Sequence, residues 1–213
     1  MHAAEVVNWC ALLLAAAPLA PAVAQSWSLE AYVGSAYNFR NRLEITQDGG
    51  FSRSLSANYD TRGFETPLYY LVRAGRWETR AGWELSLLHH KLYLTNPPAG
   101  VASLSISHGF NVLALSRAFR YGNWLYRIGA GPVITHAEAN INGVTYDGPY
   151  KLAGAALVTG IGRRFYIGAS TFVSVEAMLT AARATPKLPG PPDAELKVNN
   201  VALHFLAGIG REF

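Results

Sequence analysis

The chain has 213 residues, one of them a cysteine, Cys10, and only 15% carry charge. A single thiol excludes an internal disulfide and any zinc site built on cysteine pairs. The longest apolar run, residues 10–24 (CALLLAAAPLAPAVA), has fifteen residues including Pro18 and Pro21. That is short of the roughly 20 residues needed to span a bilayer as a helix. There is no GxGxxG, no phosphate-binding glycine loop and no HExxH, so nucleotide and local metalloprotease chemistry have no motif to stand on. No basic run or alternation of basic and aromatic residues occurs, and nucleic acid is therefore not an expected partner.

What is present begins with the apolar run itself. It ends in Ala22-Val23-Ala24 before Gln25, a small-residue cleavage pattern, and residues 1–24 read as a secretory signal peptide. Its removal also removes Cys10, and a mature chain without thiols suits an exported protein that does not rely on disulfides. It also removes Glu5, raising the formal net charge by one from +4. That modest excess fits a phosphate-rich partner such as lipopolysaccharide.

The last stretch, VNNVALHFLAGIGREF, fixes the reading of the rest. Val201, Leu203, Phe205, Ala207 and Ile209 alternate with Ala202, His204, Leu206, Gly208 and Gly210. A period of two means a strand, and here the bulky apolar set faces away from a small or polar set. A soluble sheet does the reverse, whereas a strand closing a barrel in a membrane has this arrangement. The same alternation recurs upstream. Strand one holds Leu29, Ala31 and Val33, strand two Leu68 to Ala74 before a turn at Gly75–Glu78, and strand three about Arg80 to Tyr93 with Trp83, Leu85 and Leu87 outward. Strand four covers roughly His108 to Arg120, where Ser116 and Arg117 compete for the inward side. Strand five puts Tyr126, Ile128 and Ile134 outward, strand six runs 152–165, and strand seven sets Val173, Val175 and Leu179 against Ser174, Glu176 and Thr180.

Between them, residues 41–66, 96–107, 137–151 and the proline-rich 184–197 read as long loops, and the other connections as short turns. Tight turns at one end and extended loops at the other predict an all-β, eight-stranded antiparallel transmembrane β-barrel of up-and-down topology over residues 25–213, in the outer membrane of a Gram-negative bacterium. Closure is required because an open sheet edge in lipid leaves unpaired N–H and C=O groups. Eight strands enclose room only for side chains, so Glu30, Arg73, Glu84, Arg127 and Glu176 should meet inside as a charge network, with no pore. The chain is read as a monomer.

One cluster stands out at the long-loop rim. His89 and Lys91 end strand three, His108 begins strand four, and His136 and Glu138 follow strand five. By parity His89, Lys91, His136 and Glu138 face outward, toward lipid headgroups, and His90 faces inward. The segments His89-His90-Lys91-Leu92-Tyr93, Ser107-His108-Gly109-Phe110-Asn111 and Gly129-Ala130-Gly131 through His136-Ala137-Glu138 resemble those of the lipid A oxidase family of rhizobial outer-membrane barrels. The likeness spans about residues 80–165. It implies an enzyme that uses molecular oxygen to convert the proximal glucosamine of lipid A to aminogluconate. It also marks His89, His108, His136 and Glu138 as catalytic candidates, with Lys91 and Asn111 as substrate-binding candidates.

The residue types suit that chemistry. Two or three imidazoles and a carboxylate form a ligand set for a divalent transition metal such as iron or copper. Histidine can take a hydroxyl proton near neutral pH, and Lys91 could meet a lipid A phosphate. Two other readings stand beside it. A lipid A acyl hydrolase would use Ser107, His108 and Glu138, although neighbours in a strand point to opposite faces unless a bulge intervenes. A non-enzymatic structural or adhesion barrel would use its loops for binding.

Overall fold

The computed structural model describes residues 25–213, so the expected signal peptide at 1–24, with Cys10, lies outside the described residues. The strands in chain order are β1 (Gln25–Phe39), β2 (Asn41–Gln47), β3 (Phe51–Ala57), β4 (Tyr59–Asp60), β5 (Tyr70–Glu78), β6 (Ala81–Leu94), β7 (Val101–Tyr121), β8 (Trp124–Thr135), β9 (Glu138–Ile141), β10 (Val144–Asp147), β11 (Lys151–Tyr166), β12 (Thr171–Ala184), β13 (Lys187–Leu188) and β14 (Ala194–Glu212). Eight of them, β1, β5, β6, β7, β8, β11, β12 and β14, pair in that order as antiparallel neighbours, and β14 returns to β1 from Ser28↔Glu212 to Phe39↔Val201. The ring is closed, and no sheet edge is left in the membrane-spanning part.

Closure turns the sequence alternation into two environments. On β14, Ala202, His204 and Leu206 are buried while Phe205 and Ile209 are more than half exposed. Leu29, Val72, Leu85, Leu115, Ile128, Leu157 and Val175 continue the exposed set around the barrel. Aromatic side chains flank this belt, with Trp27, Trp83, Tyr121, Trp124, Phe165 and Phe213 exposed toward the short-turn end and Tyr37, Phe39 and Tyr150 toward the other. A closed barrel with an apolar outer band, aromatic girdles and tight turns at one end is the architecture of a bacterial outer-membrane protein, and the short-turn end is periplasmic. On β7 the ambiguity of faces resolves with Ser116 buried inside and Arg117 outside, over the Trp83 and Phe119 rings.

The interior is filled. Arg73 donates to both carboxylate oxygens of Glu176 at 2.8 and 2.9 Å, and Arg127 reaches Glu84 at 2.6 Å and Glu176 at 2.9 Å. Glu30 lies within 3.9 Å of Arg73 and 3.8 Å of Arg127. The five residues expected to meet do so. Arg164, not anticipated, joins them by bonding Glu30 at 2.7 Å and Glu212 at 2.6 Å. Toward the long-loop end the lumen is crossed by a second polar layer. There Tyr69 Oη meets His204 Nδ1 at 2.6 Å, Thr180 meets its Nε2 at 2.8 Å, and His90 packs edge-on against the same imidazole. In β8, Gly131 lies so close to β7 that a Cβ would collide with the Leu113 carbonyl, the crowding a narrow barrel imposes.

The structure departs from the sequence reading chiefly beyond the membrane. Residues 41–66 are not a plain loop. β2 and β3 form a hairpin that extends the sheet from the upper half of β14 (Leu43↔Val198), and β4 lies beside β6. Residues 137–151 hold the β9–β10 hairpin, which continues the sheet along β7. The proline-rich segment contains β13, and β14 starts at Ala194 instead of near Val198. β7 starts at Val101, not His108, and the turn after β5 falls at Thr79-Arg80 instead of Gly75–Glu78. These additions pair because residues such as Leu43, Ile45 and Leu196 are fully buried against each other, an apolar alternation masked by the polar outer face.

Candidate functional site

The site is built on an irregularity between β6 and β7. His90 pairs with Phe110 and Leu92 with Ile106, so Lys91 stands opposite three residues, Ser107 to Gly109. Under strict alternation His108 would point into the lumen with Ile106 and Phe110. The bulge turns it out, and bulges commonly re-aim a side chain in this way. Gly109 makes the bend possible, since its φ of +143° disfavours a side chain and a Cβ there would collide with the Asn111 amide. Its carbonyl also accepts the His136 N–H at 3.1 Å. Gly109→Ala should therefore displace His108, and any transition metal held with that imidazole should bind about tenfold or more weakly, a loss in the range of removing an orienting partner. Titration calorimetry of the purified barrel checks this.

The chain leaves β8 at Thr135, places His136 outward, and starts β9 with Glu138 beside Ser105 of β7. Asn142 and Gly143, both with positive φ, turn the hairpin. β10 then brings Asp147 back opposite Glu138, and Gly148 N–H bonds the Ala137 carbonyl at 2.9 Å. The result is a convergent set of donors. His108 Nδ1 is 3.1 Å from Glu138 Oε1, and His136 Nε2 is 2.7 Å from Asp147 Oδ1 and 3.9 Å from Glu138 Oε1. Single ligand atoms of His108, His136 and Glu138 all lie within 4.8 Å of one another. Tyr150 closes one side, its ring edge-on to His136 and its hydroxyl donating to the His108 carbonyl at 2.8 Å. The His108 side chain is 50% exposed and that of Glu138 38%. The cluster thus opens outward, just above Ile134 and the exposed Leu152, where the apolar belt ends.

The other candidates lie apart from this cluster. His89 is outward by parity yet buried, stacked on Tyr70 with ring centroids 5.0 Å apart, and its Nδ1 is 2.8 Å from Asn111 Oδ1. Lys91 is also buried, its ammonium donating to the Arg62 and Glu65 carbonyls at 2.6 and 2.8 Å in the connection between β4 and β5. Asn111 joins the two regions, accepting from His89 on one side and packing over Gly109 on the other. His90 faces the lumen and packs against Phe110 and His204.

The donor set suits a divalent transition metal. Two imidazoles and a carboxylate are residue types that can hold iron for oxygen chemistry. His136 presents Nε2 to two carboxylates, and its Nδ1 is buried without a hydrogen-bond partner among the described residues. An acyl-transfer triad fits less well. Ser107 Oγ and Glu138 Oε1 both approach the same nitrogen of His108, at 3.3 and 3.1 Å, and Ser107 is buried. A nucleophile, base and acid relay uses the two imidazole nitrogens separately.

Sequence reasoning did not single out Asp147 or Tyr150. The Asn142-Gly143 pair was the available signal, because that dipeptide folds a hairpin back on itself and so returns residue 147 to the level of 138.

Comparison with protein families and with curated proteins gives no match. Among solved structures the chain is similar to Neisserial surface protein A, with 11% identity over 89% of this chain and 97% of that one at a TM-score of 0.42. It is also similar to the attachment invasion locus protein Ail of Yersinia pestis, with 12% identity over 89% and 98% at 0.41. The outer-membrane protease OmpT of Escherichia coli shares 9% identity over 88% and 97% at 0.45.

Proposed function

We propose that the protein is an outer-membrane enzyme that oxidises the proximal glucosamine of lipid A at the outer leaflet, working as a monomer. The observation that carries this reading is the convergence of His108, His136 and Glu138 on the outer wall at the upper limit of the apolar belt. An embedded lipid A molecule would present its sugars beside the barrel at that height, so the substrate would need no path through the filled lumen. In the overall reaction the anomeric carbon loses its C–H and O–H hydrogens with two electrons. Molecular oxygen accepts them as hydrogen peroxide, and the resulting lactone takes up water to give aminogluconate.

His108, His136 and Glu138 would hold the metal, which when bound supplies the redox chemistry toward oxygen. Asp147, 2.7 Å from the same His136 Nε2 that faces Glu138, adds a second carboxylate charge beside the donor set. Glu138, bonded to His108 and partly exposed, can accept the hydroxyl proton. Tyr150 pins the His108 backbone. Asn111 acts from behind the bulge through Gly109.

Mass spectrometry of lipid A from cells with and without the protein tests the proposal. A gain of one oxygen atom that depends on the protein is expected. Loss of an acyl chain would point instead to hydrolysis, and unchanged lipid A to a structural or adhesion role.

A further inference from the structure

A second lipid contact, independent of the oxidation chemistry, lies at the opposite end of the barrel wall. Trp27, Arg76, Trp83 and Arg117 stand opposite one another in a single row across β1, β5, β6 and β7. Trp27 and Trp83 are each 55% exposed, so indole and guanidinium alternate along the outer surface near the short-turn end. Arg76 bonds the Gln25 side-chain carbonyl at 2.7 Å, and Arg117 lies 5.2 Å from the Trp83 ring. Among the described residues neither is paired with a carboxylate. Immediately above the row, a groove of about 690 Å³ extends from these strands onto β14, lined by Leu29, Ala31, Val72, Ala74, Leu85 and Leu87 and, on β14, by Ile209 and Arg211. Ala31 and Ala74 stand small among the leucines of its lining.

We infer that this face is a binding site for an anionic glycerophospholipid of the periplasmic leaflet, with an acyl chain in the Ala31/Ala74 groove and the phosphodiester between Arg76 and Arg117. The two arginines are two strands apart, about 10 Å at ordinary strand spacing, close enough for both side chains to reach one headgroup. Guanidinium groups bind phosphate oxygens in fork geometry, and the flanking indoles sit where amphipathic rings are favoured, at the level of the ester groups. Two cations without a carboxylate partner favour a headgroup of net negative charge over a zwitterionic one. The short-turn end faces the periplasm, which selects phospholipid over lipopolysaccharide as the source of the phosphate.

The test is native mass spectrometry of the purified, folded barrel equilibrated in detergent with equal amounts of phosphatidylglycerol and phosphatidylethanolamine, and separately with lipid A. The wild type should retain phosphatidylglycerol preferentially. Arg76→Gln and Arg117→Gln should each reduce that preference about fivefold, the effect of one basic residue near a charged membrane surface. Ala74→Phe should lower retention of both phospholipids by filling the groove. Arg76→Lys combined with Arg117→Lys retains the charge and should retain the preference. An unchanged lipid ratio in the two glutamine variants, with heat-modifiable gel mobility like that of the wild type, would overturn the site. So would retention of lipid A that depends on Arg76 as strongly as that of phosphatidylglycerol.

Discussion

Replacing His136 by alanine is expected to abolish the protein-dependent oxygen gain in lipid A and to lower bound transition metal by at least about a hundredfold, the upper range for loss of a partner that only orients a ligand. Of the two histidines in the cluster, His136 is the one that lies near both carboxylates, Glu138 at 3.9 Å and Asp147 at 2.7 Å. Truncation removes the imidazole from the centre of the donor set, while the strand around it stays anchored by the bond from the residue's own backbone N–H to Gly109. Asp147→Asn keeps the shape but removes a carboxylate charge beside His136 Nε2, and metal affinity should fall. His89→Ala leaves the three convergent donors in place and should retain metal stoichiometry. Elemental analysis of the purified barrels and lipid A mass spectra from the same cells give both readouts. Unaltered lipid A oxidation in His136→Ala, with unaltered metal content, would end the case for this cluster as the reactive site.

The second large effect concerns stability. Glu176→Ala should destabilise the barrel by about 3–5 kcal/mol, the cost of leaving a buried charge without its partner. Glu176 accepts two bonds from Arg73 and one from Arg127, all between 2.8 and 2.9 Å, and its side chain is inaccessible to solvent. The remaining carboxylates cannot take over without movement. Glu84 lies 3.6 Å from Arg73 but is already held by Arg127, and Glu30 lies 3.9 Å from Arg73 while bonded to Arg164 and the Tyr32 hydroxyl. Replacing Arg73 and Glu176 together by Leu and Met should cost much less than the single change, because no charge is stranded. Urea unfolding of the barrel in phospholipid vesicles measures the difference. A shift for Glu176→Ala below about 1 kcal/mol, the value typical of an exposed pair, would show that this interior layer is not held together as described.

The spanning part of the fold was legible because lipid outside and a cramped polar lumen inside force strict alternation. Leu85 and Leu87 against Glu84 and Ser86, or Val173 and Val175 against Ser174 and Glu176, can be read directly. Beyond the membrane that constraint lapses. Arg42, Glu44 and Thr46 face water on β2, and their polarity masked Leu43 and Ile45, which are fully buried. The site was legible to the same extent. His136 and Glu138 follow the outward parity of β8, whereas the aim of His108 depends on a bulge that parity arguments cannot supply. His89 and Lys91 have the outward parity expected of them, but Tyr70 stacks on His89 and the Arg62 and Glu65 carbonyls cap Lys91. Such a cover is a tertiary event with no periodic signature.

The plugged lumen has a consequence for how this protein would meet its reactants. With arginine and glutamate side chains locked across the bore, solutes have no route through, so a cell could carry many copies without dissipating its permeability barrier. A lipid bound on the outer wall would have to arrive sideways, by diffusion in the plane of its leaflet. Encounter with such a lipid would then follow the fluidity and crowding of the surrounding bilayer.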